Sequence, residues 1–110
     1  MKTVQTTHPG ATTAIVGPVR NTYTAKDYID IKSLIINNTD TTSIGVKVYL
    51  WNGSTNYYIL GSTSTFFKMG VGYSADIFEK TPFSYDGTYE LKIYTDSGHT
   101  ATSFLNYEIR

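Results

Sequence analysis

The chain has 110 residues, enough for a single domain that buries about two-thirds of its unfolded surface in one core. Nine Lys and Arg balance nine Asp and Glu to a formal charge of zero. The basic residues are spread along the chain, which argues against a general nucleic-acid binder.

There is no cysteine, so packing alone must hold the fold. The opening MKTVQTTHPG lacks an apolar run, so no secretory signal is expected, and no stretch reaches the length of a membrane-spanning helix. Aromatic residues make up 15% of the chain, ten of them Tyr, beside frequent Thr, Ser, Ile and Val. That composition favours strands. No long segment places apolar residues at i, i+3, i+4 and i+7, so the expected class is all-β.

Residues 1–20 are Thr-rich, nearly uncharged and broken at Pro9-Gly10 and Gly17-Pro18. Ala11 to Val16 fits one short strand between the breaks. The segment reads either as a first edge strand or as an extended arm that orders against a neighbouring subunit. Fully extended, it would span about 66 Å. Residues 21–110 form the sandwich domain.

Tyr28 to Asn37 begins by alternating Ile29 and Ile31 with Asp30 and Lys32, then runs Leu34, Ile35 and Ile36 together. Such a strand is either covered on both faces at its end or carries a bulge near Ser33. The Asn and Thr residues of 37–42 make a turn.

Ser43 to Leu60, SIGVKVYLWNGSTNYYIL, carries the strongest pattern. Ile44, Val46, Val48 and Leu50 share one face, and Gly45, Lys47, Tyr49 and Trp51 the other. Asn52-Gly53 supplies a tight turn, and Tyr57 to Leu60 return along the first strand. Beyond a Ser/Thr link, Thr65 to Met69 and Tyr73 to Glu79 follow as short strands. Tyr89, Leu91 and Ile93 then form a clean stripe, and Thr100 to Ile109 is the last strand. Pro82, Asp86-Gly87 and Asp96-Ser-Gly98 mark the turns between them.

Seven to nine short strands with regular turns describe an antiparallel β-sandwich, jelly-roll or immunoglobulin-like. The expected core is Ile31, Leu34, Ile36, Ile44, Val46, Val48, Leu50, Leu91, Ile93 and Leu105.

Chemistry is sparse. His8 and His99 are the only histidines and have no evident partner, too few for a zinc site or a triad. The acids fall in turns or on wet strand faces, and no two are set apart as a glycosidase pair. Asp96-Ser-Gly98 and Asn38-Thr-Asp40 lack the ligand density of a calcium loop. No catalytic, metal or cofactor site is expected. The aromatics are the more serious candidates. Tyr49 and Trp51 lie on the polar face, with Tyr57 or Tyr58 across the hairpin. Such a strip pairs across strands, seals against a subunit, or stacks on sugar rings.

The stretches "YIDIKSLIINNTDTTSIGVKVYLWNGSTNYYIL" and "YELKIYTDSGHTATSFLNYEI" resemble the small all-β virion proteins of tailed bacteriophages, over Tyr23 to Arg110. The shared pattern is a strand ending in Ile-Lys-Ser, an Asn-Thr-Asp turn, a V-x-V-Y-L strand and a closing hairpin. These proteins often carry "LxxGD" before the penultimate strand. Here that place reads Phe83-Ser-Tyr-Asp-Gly87, and the match weakens between Gly61 and Gly87. The resemblance implies a non-enzymatic structural protein located in the virion and made in the host cytoplasm. A capsid decoration or auxiliary protein heads the expectation. Its partners would be the major capsid protein or connector and tail subunits, in a homo-oligomer or many symmetry-related copies, with no nucleic acid or membrane. The alternative is a carbohydrate-binding module using Tyr49, Trp51, Tyr57 and Tyr58.

Overall fold

The computed structural model describes all 110 residues. The turn residues divide the chain into ten strands: β1 (Lys2–His8), β2 (Thr13–Ile15), β3 (Tyr28–Asn38), β4 (Ile44–Trp51), β5 (Asn56–Leu60), β6 (Phe67–Met69), β7 (Ser74–Asp76), β8 (Phe83–Asp86), β9 (Glu90–Thr95) and β10 (Ala101–Ile109). Every pairing is antiparallel. One sheet runs β1-β10-β3-β7, with β8 also on β3; the other runs β2-β9-β4-β5, with β6 also on β4.

Four of the ten are halves of two interrupted strands. Ser74 to Asp76 pair with the end of β3 and Phe83 to Asp86 with its start, the segment 77–82 looping out between them. In the same way β5 and β6 share β4, with 61–66 between. Joined across these interruptions, the molecule has four strands in each sheet.

Their order is that of a jelly roll. The chain folds as a ribbon doubled at the β4–β5 hairpin, so that β1 faces β10, β2 faces β9, β3 faces β7 and β8, and β4 faces β5 and β6. The pairs β10–β3 and β9–β4 then stitch the rolled ribbon into two sheets. Apart from β4 to β5 and the two interruptions, every connection changes sheet, as in double-sheet jelly rolls. Of the two expected connectivities, the chain adopts this one.

Residues 1–20 serve both sheets. β1 is the edge strand beside β10, and β2 the edge strand beside β9. The chain crosses between them at 9–12, and both His8 and Val16 are fully buried.

A bulge resolves the uneven pattern of β3. Asn106 pairs with Ser33 but Tyr107 pairs with Ile31, leaving Lys32 as the extra residue. The slip reverses side-chain parity, so that Ile29 and Ile31 before it and Leu34 and Ile36 after it all point inward. They meet Ile44, Val46, Val48, Leu91, Ile93 and Leu105 between the sheets. Leu50, expected in this core, is only half-buried at the end of β4 and packs against its margin. Val16, Met69, Phe78, Tyr85, Ala101 and Tyr107 complete the core from loops and strands the apolar stripes do not mark.

Candidate functional site

The β4–β5 hairpin brings its aromatic residues to the outer face of the second sheet, but not all four together. Tyr49 lies opposite Tyr58, and Leu50 opposite Tyr57. Because Val48 pairs with Leu60, Ile59 is an extra residue in β5. This second bulge decides the arrangement. A regular ladder would have set Tyr57 opposite Trp51 on the outer face; the bulge instead turns Tyr58 outward and Tyr57 to the other side. Tyr57 there meets Tyr89 edge-on at 6.1 Å and stays 48% exposed.

The three outward rings are packed rather than laid open. Tyr49 is buried, its ring 5.2 Å from that of Tyr58 and its hydroxyl 3.3 Å from Thr13 Oγ1. Trp51 carries two cations, with Lys92 Nζ 3.9 Å and Arg20 Cζ 5.2 Å from the ring. Beneath them Glu90, 3% exposed, pairs with Lys92 at 3.4 Å and accepts the Arg20 backbone N–H at 2.8 Å. Burying that carboxylate is tolerable because both oxygens are engaged. The pattern repeats up the sheet. Lys47 Nζ sits 4.5 Å above Phe66, which lies 6.0 Å from Tyr94. Phe66 reaches this position because Gly45 leaves room; a Cβ there would stand 2.7 Å from that of Phe66. On this outer face Trp51, Phe66 and Tyr94 each lie against a cation, while Tyr49 and Tyr58 pack against one another. A sugar stacking on Trp51 would have to share the ring with Lys92 and Arg20.

Both histidines have partners that the sequence concealed. His8 Nε2 lies 2.8 Å from Ser103 Oγ, while its Nδ1 is buried without a partner. Burial pushes its pKa down to about 4, so the imidazole is neutral near pH 7. His99 Nδ1 lies 3.2 Å from Thr42 Oγ1 and 3.7 Å from Asp40 Oδ2. A triad requires hydroxyl and carboxylate at opposite ring nitrogens; here both approach the same one.

The loop acids act as turn caps. Asp40 accepts the N–H groups of Thr42 at 3.1 Å and Thr100 at 3.0 Å, and Asp96 accepts that of Gly45 at 3.0 Å. No three His, Asp or Glu side chains converge in metal-binding geometry. The one cleft, about 280 Å³, lies between Ile31, Lys32, Phe78, Glu79, Thr81 and Pro82 beside the 77–82 loop. No protein-family model matches the chain, and no curated protein or solved structure shows significant similarity to it.

Proposed function

We propose that this protein is a non-enzymatic structural component of a tailed-bacteriophage virion, most simply a capsid decoration or auxiliary protein. The observation that carries the reading is the strand order. A ribbon rolled into two four-stranded antiparallel sheets is an architecture shared by viral coat subunits, an analogy at the level of fold. The strand-and-turn pattern of Tyr23 to Arg110, which we read as resembling small all-β virion proteins, is in keeping with this proposal. The covered rings and fixed cations of the second sheet form a firm, half-polar surface, suited to meeting the rim of another protein. Many symmetry-related copies make weak individual contacts effective through avidity.

The test is fractionation of particles from infected cells. The protein should cosediment with intact heads, at a copy number that is a simple fraction of the major capsid protein. Confinement to the soluble fraction while heads assemble normally would refute the assignment.

A further inference from the structure

The four lateral edges of this sandwich are not alike. β2, β6 and β7 have three residues each and β8 has four; β7 and β8 are parted by the 77–82 loop. The edge formed by β5 is broken by the Ile59 bulge and the loop after it. Short, interrupted or bulged edges are how sheet proteins discourage strand addition. β1 has none of these features. Its seven residues pair with β10 without a register shift, from Lys2 opposite Tyr107 to His8 opposite Ala101. It contains no proline, and no charge between Thr3 and Thr7. Beyond the β10 ladder, no hydrogen bond within the chain satisfies its backbone, so a full row of donors and acceptors faces outward.

We propose that two copies of this chain pair antiparallel through β1, continuing the β1-β10-β3-β7 sheet across a two-fold axis centred on Gln5. An antiparallel edge is complementary to itself, since rotation about such an axis sets each donor against an acceptor. Parity admits this register, and centring on Gln5 pairs all seven residues of the strand. Val4, Thr6 and His8 face the core while Thr3, Gln5 and Thr7 face out. Setting Gln5 against its own copy places Val4 opposite the second copy's Thr6 and Thr3 opposite its Thr7. Every inward residue then faces an inward one, and the sheet continues with its two faces intact. Charge permits the same register. Lys2 falls opposite the second copy's His8, which burial keeps uncharged near neutrality, so no like charges meet. A second copy fits this edge better than a charged foreign segment, because β1 offers Thr and Gln side chains for matching cross-strand contacts and only one formal charge at its end.

The inference concerns the isolated chain and does not rest on the virion reading. The absence of cysteine makes it directly testable, because Gln5→Cys introduces the only thiol at an exposed position. The wild-type chain should sediment as a dimer, and Gln5→Cys should form a disulfide-linked dimer under mild oxidation. Gln5→Lys and Gln5→Glu should each weaken the dimer about fivefold, and an equimolar mixture should recover it. Circular dichroism matching the wild type would show that the variants still fold. A wild-type chain that remains monomeric near millimolar concentration would overturn the proposal. So would a dimer that neither crosslinks at residue 5 nor responds to either charge.

Discussion

At His8, the chain's chemistry and its packing pull against each other. The side chain is fully buried on an edge strand, bonded through one nitrogen to Ser103 and unpartnered at the other. Its folded pKa of about 4 lies below the ordinary 6.5, so between those values the unfolded chain binds the extra proton. Stability from this residue is therefore fully present above about pH 6.5 and falls as pH drops towards about 4, by roughly 3 kcal/mol at most. Denaturant midpoints measured from pH 7 to pH 4 should fall in the wild type and fall less in His8→Asn. Equal slopes would remove His8 as the source. Asp30 titrates in a different range. The hydrogen bonds from Arg110 and then Ser84 hold its carboxyl below the usual carboxylate range, so what it contributes is lost only in more acidic solution. Glu90 gives a second prediction at this scale. Glu90→Ala strips the partner from Lys92 and from the Arg20 N–H, and should cost about 2 kcal/mol in chemical unfolding at neutral pH. Nothing in the local sequence marked either site, because both depend on segments 70 or more residues away in the chain.

Among the elements, the β8–β9 turn is fastened by the loop before β3. Gly87 O accepts the Asn21 N–H at 2.8 Å, and Gly87 N–H reaches the carbonyls of Thr24 and Asp27, both at 3.1 Å. A Cβ on Gly87 would run into the Tyr23 backbone and come within 2.6 Å of Thr24 O. Backbone cannot swing aside as a side chain does, so Gly87→Ala should destabilise the fold by about 2–4 kcal/mol. A loss below about 0.5 kcal/mol would show that the 21–27 loop is not held as described. The strands themselves were readable where alternation is regular, as in Ile44 to Trp51 and Glu90 to Thr95. They were not readable where a bulge intervenes. The run Leu34-Ile35-Ile36 gave a fair hint of the irregularity at Lys32, whereas Tyr57 and Tyr58 contain no sign of the extra residue at Ile59. One slipped residue reverses a face, which is why the aromatic group of four divides into three and one. Phe83 to Asp86 read as a turn because Pro82 and Gly87 flank it, yet four residues suffice to pair with the start of β3.

For the molecule as a whole, turn spacing revealed a sandwich but not its winding. Strand partners in a rolled ribbon are set by contacts distant in sequence, as in the pairing of Lys2 with Tyr107, and no local pattern encodes them. The same distance governs folding speed. Loop closure must precede most of the contacts, so refolding should take milliseconds to seconds, as for other all-β sandwiches. Stopped-flow tryptophan fluorescence, with Trp51 the single reporter, would measure it; microsecond refolding would contradict this topology. The two sheets depend on one shared core, and Leu105→Ala at its centre should cost about 2–5 kcal/mol with both sheets melting in one transition. At this scale the proposed virion role would rest on surfaces that mate with other proteins. A reconstruction of the intact phage particle at side-chain resolution tests that most directly. On the proposed role, density for this jelly roll should stand at symmetry-related positions, seated against a neighbouring virion protein. An infectious particle, complete in every component and containing no copy of the chain, would contradict it.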